Sequence, residues 1–449
     1  MGGFAAVCSD AKANMSANAK RIALHGAGAL AFGVWSWLAL VSRGSVSLAM
    51  LFGAVGVAWA LLGVAWWCAR EMGAGSVLRA VWIWGVLFRA AGFFGEPLLE
   101  DDWARYLWDG RQFVVSGNPY ATTPAEHFAD KTVPEPFERI LDEINNPDVR
   151  TIYAPVCEYA FALSHVIAPG RLWPWKLMLL AADLLTLGLL LRMVPPSHAL
   201  LYAWCPLLIQ ETAFTAHPDS LWVYFLVAAL HAFSKENHGR MAVCCGLALA
   251  TKIFALLIVP FLLVRAAWKF RALALVVSSA AYLPFWLQGS TADFAGLRAM
   301  SGDWEFNSAV FAWLAHFTGS AAAKGITLAA FTIVWGMLLW RWIRVQEPAE
   351  ELPRGDWIFG AFFLLSAVVN PWYLIALLPF VVLRPSLWGV GALAVVTLSY
   401  AHGLYASEPS LAPYELPGWV RPLELGLVTV LLFVGRRWFR LRSAPAKRN

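Results

Sequence analysis

The sequence predicts an all-α, polytopic membrane protein with about 13–14 transmembrane helices and one large polar loop built of short helices. Three observations lead there. Of 449 residues, 59% are hydrophobic and 14% charged, against about 45–50% and about 25% in soluble domains. The apolar residues gather into blocks of roughly 15–25, close to the ~20 needed to cross a ~30 Å hydrocarbon layer. The 25 tryptophans suit the membrane–water interface, where the indole is favoured.

A soluble class is thereby excluded. The net charge of +5 is spread over many short loops, so membrane lipids are expected as surroundings and no nucleic acid as a partner. The six cysteines show neither CxxC nor Cys/His ligand spacing, which argues against a cysteine metal site or a structural disulfide. Residues 1–21 read as a polar cytoplasmic leader. They are not a signal peptide, because the first apolar block is followed directly by another. Gly2 is no myristoylation site, since Ala6 stands where Ser or Thr is needed.

In chain order, apolar segments at 22–41, 46–69 and 77–94 make an N-terminal group of helices. A polar loop follows over 95–172, rich in Pro, Asp, Glu and Asn. Within it, amphipathic stretches at 103–115 and 137–144 predict short helices, and Asn118-Pro119-Tyr120 predicts a turn. The core, 173–435, holds segments at 173–194, 199–214, 220–233, 241–264, 272–287, 326–343, 357–369, 372–383, 387–400 and 423–434. A basic tail, 436–449, closes the chain.

Orientation follows from Lys and Arg, which stay on the cytoplasmic side. With the N-terminus inside, three crossings place 95–171 outside. Basic clusters at Lys235–Arg240 and at Arg265, Lys269 and Arg271 both belong inside, yet only the segment 241–264 separates them. That segment is too short for two full spans at 1.5 Å per residue. It is therefore expected to enter and return as a broken pair turning near Lys252, with the freed backbone inside protein or beside a cavity.

The densest chemistry is Glu100-Asp101-Asp102, where the third membrane segment ends. Adjacent carboxylates repel, so at least one is expected to have a raised pKa or a cationic partner. Such clusters serve as general bases or metal ligands, or simply start a helix. Lys252 looks unpaired in an apolar run, and intramembrane ionisable residues are functional candidates; the alternative is snorkelling. Glu211 lies within a membrane segment. Arg105 and Arg111 are expected to neutralise the acids. Trp304, beside Asp303, falls on the outer side in the same scheme.

The string EDDWARYLWDGRQFVVSGNPYATTP from Glu100 resembles the first outer loop of bacterial polyprenol-phosphate-mannose-dependent mannosyltransferases, of the GT-C membrane glycosyltransferase superfamily. His217-Pro218-Asp219, Lys252 in ATKIFALLIVPFLL, and Asn370-Pro371-Trp372-Tyr373 followed by Pro379 extend the resemblance over 96–379. It implies a GT-C-like fold in a bacterial inner membrane, with the active site facing the periplasm or exterior. The implied reaction moves a sugar, mannose in the resembling enzymes, from a polyprenyl-phosphate donor to an acceptor hydroxyl on a glycan or glycolipid, with inversion. The base falls on Asp101 or Asp102, with Asp101 the first choice; Glu100 before them also allows an acidic pair separated by one residue, Glu100 and Asp102. Lys252 would meet the donor phosphate. Glu100, Arg105, His217, Asp219, Trp304, Trp372 and Tyr373 are the implied substrate contacts. No metal ligand set and no cofactor follow; a divalent cation is compatible with the acids but not required. The competing class is a transporter or lipid-linked-glycan flippase, which would show internal repeats, and the sequence shows none.

Overall fold

The computed structural model describes residues 15–344, 352–406 and 410–443. The leader up to residue 14 and the tail from residue 444 lie outside the described residues. Among the described residues the chain is all-α, with twenty α-helices and no strands. Five helices are long and apolar enough to cross a membrane: α1 (Ala17–Val41), α2 (Leu48–Ala69), α3 (Ala74–Phe93), α7 (Trp173–Leu190) and α16 (Ser320–Arg344). Their outward faces are apolar. On α16, for example, Leu328, Ile333, Met337 and Trp340 are all exposed. Water would not tolerate such faces and lipid requires them; the protein is an integral multi-pass membrane protein.

Between α3 and α7 the polar loop folds into α4 (Asp102–Ser116), α5 (Glu135–Asp142) and α6 (Pro155–Ile167). The first two match the amphipathic stretches. Helix α4 buries Leu107 and Trp108 against Phe137 and Ile140 of α5, while Tyr106 packs with Phe161 of α6 and Trp175 of α7. Gly110 lets α4 and α6 touch, because a Cβ there would run into the Phe161 carbonyl. Asn118 caps the exit as expected, its side-chain oxygen accepting from the Tyr120 N–H at 3.1 Å.

Other apolar segments are interrupted near the ionisable residues that the sequence singles out. The segment 199–214 becomes α8 (Pro196–Ala203), the single turn α9 (Pro206–Leu208) and a π-helical turn, Ile209–Phe214. Helix α10 is Asp219–Ser234. The segment 241–264 breaks as its charge topology requires. Helix α11 (His238–Leu249) stops, Lys252 is extended, and a 3-10 turn (Ile253–Leu257) leads into α12 (Val259–Leu263). His238 at the start of α11 lies 5.5 Å from Phe270 in α13 (Trp268–Trp286), ring to ring. The starts of α11 and α13 therefore lie side by side, with the extended Lys252 in the stretch of chain between them.

The remainder comprises α14 (Phe294–Asp303), α15 (Val310–Thr318), α17 (Gly355–Leu365), a 3-10 turn (Pro371–Ala376), α18 (Leu378–Leu383), α19 (Leu387–Val395) with a second 3-10 turn (Val396–Tyr400), and α20 (Val420–Ser443). Phe306 and Val368 form an isolated parallel bridge that ties the segment after α14 to the segment after α17.

Candidate functional site

The chain leaves α3 through a fixed exit. Lys176 of α7 donates to the carbonyls of Gly95 at 2.6 Å and Gly92 at 3.2 Å, satisfying the orphan acceptors of the helix end. Leu99 then takes a positive φ of 51°, a costly conformation for a side chain with a Cβ, and the three acids follow. Their side chains go separate ways. Asp101 is turned to Asn145, whose amide donates to it. Asp102 begins α4 and faces a cavity of about 290 Å³ that Glu100 also lines.

That cavity gathers residues from distant stretches of sequence. Glu100, Asp102, Arg105, His217, Lys252, Trp304, Trp372 and Tyr373 all line it. Asp101 and Asp219 do not. Asp219 is fully buried behind Lys252 and accepts from its ammonium at 2.6 Å and from Trp222 Nε1 at 3.2 Å. Lys252 is therefore paired, contrary to its isolated look in sequence; the partner is 33 residues away and comes from the start of α10. The ammonium also sits 4.8 Å from the Tyr373 ring centre and 5.2 Å from that of Phe254, a cation–π setting.

The arginines do not neutralise the acid cluster. Arg105 instead pairs with Asp109 at 3.0 Å, one helical turn on, and donates to the Val149 carbonyl at 2.9 Å. Arg111 lies over Trp108 and Phe137. The cation facing Asp102 is His217, whose Nε2 is 3.6 Å from Asp102 Oδ2. Trp372 stacks on that imidazole at 3.9 Å, only 13° from parallel.

These placements separate the three carboxylates chemically. Burial, and then the Asp102 charge, push Asp101 up to about 6. Burial and the same neighbour raise Glu100 well above the carboxylate range. Burial would also raise Asp102, but His217, the Asn145 amide and Lys252 outweigh it and hold its carboxyl below the usual value. Asp102 is thus the member whose ionised form its surroundings favour, while those of Asp101 and Glu100 disfavour it.

Sequence reasoning missed part of the lining. Asn145 and Tyr153 approach Asp102 from the far end of the polar loop, Tyr153 OH at 3.5 Å. Asp293, just after α13, lines the cavity with its Oδ1 unpartnered and its Oδ2 3.4 Å from Tyr282 OH; burial raises it to about 6. Phe306, His402 and Tyr414 complete an aromatic wall with Trp304, which lies 5.5 Å from Tyr414. Asp293 carried only a weak signal, an acid at the start of the next short helix, α14. His402 and Tyr414 carried none. Among the described residues, no three His, Cys, Asp or Glu side chains converge as metal ligands. Comparison with family models, with curated proteins and with solved structures found no match for this chain.

Proposed function

We propose that this chain is a GT-C-like glycosyltransferase that moves a sugar, mannose by resemblance, from a polyprenyl phosphate to an acceptor hydroxyl. The observation that carries the reading is the single cavity in which a carboxylate whose ionised form is favoured, Asp102, meets a fixed ammonium, Lys252, between aromatic faces. A transfer of this kind needs a base within reach of the acceptor proton and a cation for the departing phosphate. The aromatic rings of Trp304, Trp372 and Tyr373 suit the apolar faces of a pyranose.

In this reading the acceptor oxygen attacks the anomeric carbon as the bond from that carbon to the phosphate oxygen breaks. The acceptor proton passes to Asp102, and polyprenyl phosphate leaves with the bonding pair, its negative charge met by Lys252. Direct displacement inverts the anomeric centre. Asp102 takes the base role rather than Asp101 because it lines the cavity and Asp101 does not. The interrupted helices count as crossings in this scheme, giving the about 13–14 spans expected from segment lengths, with the cavity at the periplasmic or outer face of a bacterial inner membrane.

The experiment is reconstitution into sealed vesicles with a mannosyl-phosphoryl polyprenol in one leaflet and a glycan acceptor outside. Transfer without movement of intact donor between leaflets is the expected result. Movement of intact donor without any new glycosidic bond would favour a flippase and overturn the reading.

A further inference from the structure

Behind the cavity lies a chain of groups that the transfer step does not touch. Glu211, on the π-helical turn, is fully buried and does not line the cavity. Its carboxylate accepts from Gln210 Nε2 at 2.9 Å, from Tyr400 OH at 3.0 and 3.1 Å across its two oxygens, and from His217 Nδ1 at 3.0 Å. Three side chains able to donate thus converge on one carboxylate. The π-helical turn brings the first and last of these partners together: its extra residue lets the His217 N–H reach the Glu211 carbonyl at 2.8 Å, and Ala216 absorbs the turn at a positive φ of 65°. With Nδ1 engaged, His217 points Nε2 at Asp102. That nitrogen is buried and has no hydrogen-bond partner; the 3.6 Å to Asp102 is an ion-pair distance, beyond hydrogen-bond length. The stacked Trp372 stops the ring from swinging away.

We propose that Glu211 is a positioning residue for Asp102: it fixes the His217 ring with Nδ1 protonated and Nε2 aimed at the carboxylate, leaving the other Asp102 oxygen for the incoming hydroxyl. The inference rests on the reading of Asp102 as the base. An imidazole flanked by a carboxylate at each nitrogen keeps both protons, and its charge in turn keeps Asp102 ionised. The other groups facing Asp102 are Asp101 and Glu100 from its own segment, Lys252 from the helix break, and the tyrosines Tyr106 and Tyr153. Tyr373, Tyr405 and Tyr414 feel it from farther across the cavity. None of the tyrosines supplies a charge near neutrality. Lys252 is shared with Asp219, so His217 is the cation whose loss Asp102 would register most.

The test reads the ring directly and then the chemistry. Nitrogen NMR of the full-length protein, histidine-labelled in micelles, is compared for wild type, Glu211→Gln and Tyr400→Phe, with the His217 signal identified by its loss in His217→Gln. At about pH 8, where an ordinary histidine is neutral, wild-type His217 is expected to carry both protons and His217 in Glu211→Gln only one. In the transfer assay the Glu211→Gln rate profile should gain an inflection below about pH 8, where His217 loses its proton and Asp102 its cation, while the wild-type profile has none there. Merely structural packing would lower the rate equally at every pH. A wild-type His217 that is neutral at about pH 8, or one unmoved by Glu211→Gln, overturns the proposal. If Glu211→Gln does not fold, Tyr400→Phe gives the same two readouts: a smaller change in the same sense supports the proposal and no change overturns it. Because the NMR arm needs no substrate, its outcome stands apart from any failure of the transferase reading.

Discussion

The Lys252–Asp219 pair separates a structural from a functional role for the lysine. Asp219 is fully buried, with one oxygen already lacking a partner, and the Lys252 ammonium lies 2.6 Å from the other. Lys252→Ala therefore leaves an uncompensated carboxylate inside the protein, a change that typically costs about 3–5 kcal/mol. Asp219→Asn added to it removes the stranded charge and should recover most of that loss, leaving Trp222 Nε1 its acceptor. Donor binding should behave differently. In the double variant the cavity still lacks its ammonium, so affinity for mannosyl-phosphoryl polyprenol stays reduced by at least tenfold, about 1.4 kcal/mol, while Lys252→Arg keeps partial function. The assay pairs thermal unfolding in detergent with equilibrium binding of fluorescent donor. A stabilised double variant that binds donor like wild type would refute the phosphate role, and Lys252→Ala with unchanged stability would refute the buried pair.

Asp102→Asn removes the proton acceptor but keeps the shape, and general-base catalysis contributes about 10²–10⁴-fold; turnover should fall at least ~100-fold with donor binding intact, whereas Asp101→Asn should retain most activity. Equal losses in the two variants would undo the assignment of the base within the cluster. Asp293 is raised to about 6 by burial, so its ionisation opposes folding: stability falls as pH rises through about 4 to 6. Asp293→Asn should therefore gain stability over wild type at about pH 7.5, by up to about 3 kcal/mol, and differ little at about pH 4 by unfolding in detergent. Cysteines placed at Glu135 and Glu236 should label from opposite faces of sealed vesicles; labelling from one side would defeat the topology that puts the polar loop outside.

The sequence made the long helices legible because lipid imposes one rule on every span, a run of apolar residues of set length. It also betrayed the break at Lys252, since two basic clusters had to share a face. The partners of the charges were not legible. Lys252 meets Asp219 and Glu211 meets Tyr400 across 33 and 189 residues, and no periodicity reports such contacts. Arg105 satisfied itself locally, one helical turn from Asp109, where spacing alone suggested a role toward the acids. The π-helical turn at Glu211 gave no signal beyond an acid in an apolar run, because a single inserted residue leaves the hydrophobic pattern almost unchanged. The aromatic wall of His402 and Tyr414 lies in a segment whose composition resembles any interfacial loop.

The most direct measurement follows lipid-linked donor by mass spectrometry in the presence of purified protein and a glycan acceptor. The account predicts that each sugar appearing in product releases one polyprenyl phosphate, and that Asp102→Asn stops both while still binding donor. Donor that stays intact with wild-type protein across every saccharide acceptor supplied, or polyprenyl phosphate released equally by Asp102→Asn, would contradict it.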